Sequence, residues 1–163
     1  MCPLSHQTAG QQAALRRTRS ACQRRESAQT EVSPGARPDM WRILIVDDHA
    51  LVRKVATALI DSDPELRVCG EAATHEAGLE AIEALRPDLV ITDLSFDAAQ
   101  GLSLVWQIGL RHPGLPMLVL SMHDEALYAQ RALQAGARGY VAKHRMDEAL
   151  LSAIRHALDA PPQ

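Results

Sequence analysis

Three aspartates follow two hydrophobic segments of this chain, and their positions predict a metal site. Asp47 and Asp48 come directly after the apolar residues 43–46, and Asp93 comes directly after residues 89–92. A continuous apolar run is typical of a parallel strand covered by helices on both faces, and open parallel sheets bind ligands at the carboxyl edge. Three carboxylates in one pocket repel one another, and a hard cation such as Mg²⁺ relieves that repulsion. The sequence therefore predicts a magnesium and phosphate site at this edge.

Strands and helices are expected to alternate from Trp41 onward. Strand-like segments occupy residues 42–47, 66–72, 88–93, 116–121 and 139–142. Segments with helical spacing follow each of them, and we expect their apolar stripes, including Leu51, Val55 and Leu133, to be core. Trp106 is also interpreted as a packing residue, and Asp147 is expected to begin the last helix. Five such units predict an α/β fold, a doubly wound five-stranded parallel sheet with right-handed crossovers.

Charge separates the first forty residues from the remainder. Residues 1–40 carry six Arg and three acidic residues, whereas residues 41–163 carry eleven basic and seventeen acidic residues. The segment 1–40 has few large hydrophobic residues, so it is predicted to be a disordered basic extension, with a nucleic-acid arm or a targeting peptide as alternatives. Met40 is a candidate natural start of translation, which would make residues 1–39 a mis-assigned extension. Residues 41–160 form the expected domain, and residues 161–163 a tail.

Composition also restricts the partners and the compartment. The acidic balance of the expected domain argues against direct nucleic-acid binding. No apolar segment approaches the roughly 20 residues that a membrane helix needs. The odd set of Cys2, Cys22 and Cys69 lacks the spacing of metal ligands and favours a reducing cytoplasm.

Taken in order, five motifs resemble the receiver domain of two-component response regulators, in particular the NarL/FixJ-like subfamily. They are ILIVDDH (43–49), PDLVITDLS (87–95), GL (101–102), PMLVLSMH (116–123) and AGARGYVAK (135–143). The resemblance covers residues 42–159 and implies the receiver-type strand order 2-1-3-4-5. Spacings of 28 residues from Asp93 to Ser121 and 22 from Ser121 to Lys143 agree with it.

The resemblance implies a role for each acidic residue. Asp93 would accept a phosphoryl group and become an aspartyl phosphate. Asp47, Asp48, Asp93 and the backbone carbonyl of Ser95 would hold Mg²⁺, which neutralises charge during the transfer.

Three further residues would respond to the phosphoryl group. Lys143 and Ser121 would contact its oxygens, and Tyr140 would rotate together with Ser121 as the switch. The chain departs from the family at residues 96–97, Phe-Asp instead of the usual Met-Pro, and at Gln100. The added negative charge could weaken phosphorylation, but no residue with a chemical role is lost.

The expected function is a phosphoaccepting switch that is not an enzyme with a free substrate. Its partners would be a sensor histidine kinase or phosphotransfer protein and a downstream protein, with homodimerisation possible and with neither a membrane nor DNA bound by this chain. The alternatives are a pseudo-receiver scaffold that works without phosphorylation, and the receiver fragment of a transcriptional regulator that has lost its DNA-binding domain. An Asp-nucleophile phosphatase is disfavoured because Ser95 stands where that chemistry places a second Asp. A flavin protein is disfavoured because the chain lacks Gly-rich phosphate loops.

Overall fold

The computed structural model describes residues 40–94, 98–123 and 126–160, with the backbone alone at residues 98–103 and 127. Three expectations lie outside these described residues. They are the disordered extension over residues 1–39, the tail over residues 161–163, and the metal-binding carbonyl of Ser95.

Strands and helices alternate through the described part of the chain. Strands β1 to β5 are Trp41–Val46, Leu66–Ala72, Leu89–Asp93, Met117–Ser121 and Gly139–Ala142. Helices α1 to α5 are Ala50–Ile60, His75–Leu85, Ala98–Arg111, Ala126–Gln134 and Met146–Asp159. The sequence therefore predicted every strand to within one residue at each end.

The last helix begins differently from the expectation. A 3₁₀ turn over Lys143–Arg145 connects β5 to α5, and the helix begins at Met146. Asp147 therefore lies inside the first turn, where its negative charge interacts favourably with the positive end of the helix dipole. The N-cap residue is Arg145.

All strand pairs are parallel, and the sheet has the order β2-β1-β3-β4-β5. This confirms the predicted α/β fold. Alternate strand residues point to opposite faces. On one face, Ile43, Ile45 and Ile91 pack with residues of α1 and α5. On the other, Leu44 and Val90 pack with residues of α2, α3 and α4.

Some residues that were expected in the core are exposed. Leu51 and Val55 lie one turn apart on α1 and are 73% and 42% exposed, while Leu133 is 49% exposed. Trp106 is 61% exposed, so its interpretation as a packing residue was wrong. The sheet covers only one arc of each helix, and in α1 that arc contains the fully buried Ala56 and Ile60 instead. Among the described residues, no helix has both the length and the apolar character needed to cross a bilayer.

Candidate functional site

The sheet register brings four polar residues to one edge. Val46 pairs with Thr92 across β1 and β3, so Asp47, the next residue, follows the end of its strand beside Asp93. Asp93 pairs with Leu120 of β4, and Ser121 pairs with Ala142 of β5, which is followed directly by Lys143. The apolar segments form strands because they are buried on both faces, and each polar residue stands where its strand ends.

A buried ion-pair cluster lies at the centre of this edge. The Lys143 Nζ is 2.8 Å from Asp47 Oδ2 and 2.7 Å from Asp93 Oδ2. Only 3% of the Lys143 side chain is exposed, against 1% for Asp47 and 0% for Asp93. Charges shielded from water interact strongly, so one ammonium holds two carboxylates that would otherwise repel each other.

Asp48 and His49 form the solvent side of the cluster. Asp48 is 42% and His49 55% exposed, and the His49 Nδ1 lies 2.5 Å from Asp48 Oδ1. Possible ligand atoms of Asp47, Asp48, His49 and Asp93 all lie within 4.8 Å of one another. Opposite ligands of a magnesium-sized ion are about 4.2 Å apart, twice a bond of about 2.1 Å. The carboxylate oxygens therefore fit a hard divalent cation with little adjustment.

Backbone contacts hold Asp47 in place. Its carboxylate Oδ1 accepts a hydrogen bond from the backbone N–H of His49 at 2.8 Å. Its carbonyl oxygen accepts one from Arg53 Nη1 at 2.6 Å, and Arg53 Nε donates to Glu71 Oε2 on β2 at 3.0 Å. Neither Asp47 nor Asp48 is the N-cap of α1, since His49 has that position and its side chain makes no capping bond. Helix capping therefore does not explain the acidic pair.

At the other end of the site, His123 connects Ser121 with two tyrosines. The fully buried Ser121 accepts a hydrogen bond at Oγ from the His123 backbone N–H at 3.1 Å. The Tyr140 hydroxyl donates to the His123 carbonyl oxygen. The His123 ring stacks on Tyr128 of α4, with centroids 4.7 Å apart and planes 16° apart. The loop after β4 is thus joined to both α4 and β5.

The structure brings most of the predicted site residues together. Asp47, Asp48, Asp93 and Lys143 share one cluster, while Ser121 and Tyr140 meet at His123. The sequence alone indicates that His49 is a surface or helix-start residue, and it is indeed exposed at the N-cap of α1, but its position beside the acidic cluster was not predicted. The available signal was its place in the sequence, directly after Asp47 and Asp48.

A second histidine also lies near the acidic cluster. His75 is the first residue of α2 and is only partly exposed. Burial lowers the pKa of its imidazole, while the negative charges of Glu76 and Asp93 oppose that shift. The negative charge of Asp93 therefore acts on the His75 imidazole at the start of α2.

This fold and site define a doubly wound α/β domain with a cluster of carboxylates at one edge of the sheet. Residues 43–155 match the model of the response regulator receiver domain, and the chain belongs to that family. It is therefore a signalling domain of the kind found in two-component response regulators.

Several characterised proteins are similar to this chain. The nitrate/nitrite response regulator protein NarL of Escherichia coli K12 is 34% identical over 115 residues, which cover 71% of this chain and 53% of that protein. The transcriptional regulatory protein DegU of Brevibacillus brevis is 31% identical over 114 residues, which cover 70% of this chain and 48% of that protein. The chain thus spans about half the length of these relatives.

A solved structure agrees with the sequence relatives. The crystal structure of a two-component response regulator of the LuxR family from Aurantimonas sp. SI85-9A1 is 31% identical and has a TM-score of 0.70. That similarity covers 76% of this chain and 88% of the other. The described fold is accordingly the receiver fold.

Proposed function

We propose that this protein is a phosphoaccepting response regulator of a two-component system. A sensor histidine kinase or a phosphotransfer protein would donate a phosphoryl group to Asp93, with Mg²⁺ as cofactor. The observation that carries the proposal is the fully buried Asp93 carboxylate, held at 2.7 Å by Lys143 and bordered by Asp47, Asp48 and His49. Asp48 and His49 form the solvent side of this cluster, so a phosphodonor would approach Asp93 from that side.

The chemistry follows from these residues. A carboxylate oxygen of Asp93 attacks phosphorus, the bond from phosphorus to the donor histidine nitrogen breaks, and its electron pair stays on the imidazole. Asp47, Asp48, Asp93 and the backbone carbonyl of Ser95 would hold Mg²⁺. The ion would neutralise the negative charge of the phosphoryl oxygens. Lys143, already beside Asp93 Oδ2, can follow a phosphoryl oxygen as a point charge.

Output would come from a change of contacts around Ser121. Its Oγ accepts from His123 N–H, and the same residue binds the Tyr140 hydroxyl through its carbonyl oxygen. If the Ser121 hydroxyl turns to a phosphoryl oxygen, it no longer accepts the His123 N–H, and His123 can move. A movement of His123 would alter its contact with Tyr140 on β5 and its stacking on Tyr128 of α4. We infer a protein partner, or a second copy of the chain, that binds the surface of α4, β5 and α5, and no direct contact with nucleic acid or membrane.

The same proposal assigns the parts of the chain. Residues 41–160 act as the receiver in the cytoplasm, and residues 1–40 are an extension that takes no part in the chemistry. The domain is not an enzyme with a free substrate, although it assists its own phosphorylation and dephosphorylation.

Labelling with a small phosphodonor tests the phosphoacceptor. Wild-type protein incubated with acetyl phosphate and Mg²⁺ should gain one phosphoryl group that hydroxylamine removes, as expected of an acyl phosphate. Asp93→Asn should gain none, and EDTA should prevent labelling of the wild type. The control variant Asp61→Asn alters a carboxylate that accepts a hydrogen bond from the backbone N–H of Val68, and it should be labelled normally. Labelling of Asp93→Asn, or labelling unaffected by EDTA, would refute the mechanism.

Partner recovery tests the switch. A pull-down with wild type, phosphorylated wild type and Asp93→Asn should recover a partner to different extents. Equal recovery by all three would replace the switch with a scaffold that works without phosphorylation.

A further inference from the structure

His49 stands beside the acidic pair as a nitrogen donor among oxygen donors. We propose that the His49 Nδ1 is a direct ligand of the bound cation, so that the imidazole raises the affinity of this site for later divalent transition ions such as Co²⁺ more than its affinity for Mg²⁺. The inference rests on the proposed function, since it concerns the same cation site. The juxtaposition that supports it is one imidazole nitrogen and three carboxylates within 4.8 Å.

The distances around Nδ1 are those of neighbouring ligands. It lies 2.5 Å from Asp48 Oδ1, 3.4 Å from Asp47 Oδ1 and 3.9 Å from Asp93 Oδ2. Adjacent ligands in an octahedral site with bonds of about 2.1 Å are about 3.0 Å apart, and opposite ligands are about 4.2 Å apart. The distances from Nδ1 to Asp48 and Asp47 lie on either side of the separation of adjacent ligands. The distance from Nδ1 to Asp93 is slightly shorter than the separation of opposite ligands. An ion placed among these atoms needs only small side-chain movements.

The backbone holds His49 where its ring can serve as a ligand. Its N–H donates to Asp47 Oδ1 at 2.8 Å, which fixes the residue against a second member of the cluster. Its side chain makes no capping bond to α1, so rotation of the ring leaves the helix start unchanged. The ring is 55% exposed, which lets a hydrated ion approach.

Ligand chemistry gives the metal preference. Mg²⁺ prefers oxygen ligands and retains several waters, whereas imidazole suits the later transition ions. Adding one nitrogen to three carboxylates therefore contributes more to the binding of Co²⁺ than to that of Mg²⁺. The alternative is that His49 only forms an ion pair with Asp48, in which case it competes with every cation equally.

Metal titration of variants separates these two roles. We would measure dissociation constants of Mg²⁺, Mn²⁺ and Co²⁺ by calorimetry for the full chain, His49→Ala and His49→Asn. Loss of an outer partner of a metal ligand already costs about 10–100-fold in affinity, so loss of the ligand itself should weaken Co²⁺ by at least about tenfold. Mg²⁺ affinity should stay within a few-fold. His156→Ala, which removes an exposed histidine in the last turn of α5, is the matched control and should leave all three constants unchanged.

Spectroscopy gives a readout that does not depend on affinity. The absorption bands of Co²⁺ should shift between wild type and His49→Ala, and pulsed electron paramagnetic resonance of bound Mn²⁺ should show coupling to one imidazole nitrogen in the wild type only. Mg²⁺ in excess should remove both signals, which assigns them to the same site. Equal changes in affinity for all three ions, or nitrogen coupling that persists in His49→Ala, would overturn the proposal.

Metal titration tests His49 as a ligand, whereas labelling tests Asp93 as the phosphoacceptor. If Asp93 is labelled with Mg²⁺ but His49→Ala leaves the ratio of Co²⁺ to Mg²⁺ affinity unchanged, only the ligand assignment is wrong. If no metal supports labelling of Asp93, the phosphoacceptor function itself is wrong, whatever the metal constants are.

Discussion

Replacing Lys143 with methionine should strongly destabilise the protein while leaving its shape almost unchanged. Methionine has a similar length and no charge, so the substitution leaves the Asp47 and Asp93 carboxylates buried without their counter-ion. Each ion pair, at 2.7–2.8 Å, has a gross Coulomb energy of about 6 kcal/mol at an effective dielectric constant of about 20. Desolvation offsets part of this, and removing one partner of a buried pair typically costs about 3–5 kcal/mol. That is a large share of the roughly 5–15 kcal/mol that stabilises an ordinary domain.

Urea denaturation with and without Mg²⁺ measures this loss. In EDTA, Lys143→Met should unfold at a clearly lower urea concentration than the wild type. Mg²⁺ should stabilise the variant more than the wild type, because the uncompensated carboxylates attract the cation; binding at 100 times the dissociation constant contributes about 2.7 kcal/mol. Asp93→Asn is the control of opposite sign, since it removes one of the repelling carboxylates and leaves Lys143 paired with Asp47. A Lys143→Met variant that unfolds within about 1 kcal/mol of the wild type would refute the stabilising role of Lys143, and so would an Asp93→Asn variant that is less stable than Lys143→Met.

Two further predictions concern stability away from the site. Arg138→Ala should cost about 1.5–3 kcal/mol in urea denaturation, because the guanidinium donates to the carbonyl oxygens of Gly114, Ala157 and Ala160, and Arg138→Lys should recover only part of it. The Arg155 hydrogen bond, followed by that of the Glu65 N–H, holds the pKa of Asp63 below its ordinary value. This stabilisation is present above the unfolded pKa of about 3.9 and is lost as the pH falls through the lower folded pKa. The stability difference between wild type and Asp63→Asn should therefore be constant near neutral pH and shrink below about pH 4; a difference that is independent of pH would contradict it.

The strands and the acidic cluster were predictable because each depends on local sequence. A run such as Ile43–Val46 is apolar at every position, which is typical of a strand buried on both faces. Parallel strands then bring their carboxyl ends to one edge, which places Asp47 near Asp93 without knowledge of the loops. The helix-start position of His49 was predictable, but the placement of its ring beside Asp48 was not, because sequence spacing does not specify the orientation of a side chain.

Burial of helical residues was less predictable for a geometric reason. Periodicity identifies which residues share a helix face, but not how wide an arc the sheet covers. Leu51 and Trp106 are apolar residues just outside that arc, and both are more than half exposed. The 3₁₀ turn before α5 was missed because Lys143–Arg145 has no breaker residue to indicate it.

His123 contacts its neighbours in two different ways, through its backbone and through its ring. Its links to Ser121 and Tyr140 run through its own amide and carbonyl, so they are available to any residue that keeps the same backbone path. Only the stacking on Tyr128 depends on the imidazole. Substitution at this one position can thus loosen or tighten the hold on α4 while the connection between the site and β5 is retained. The contact with α4 is in this way tunable independently of the contact with β5.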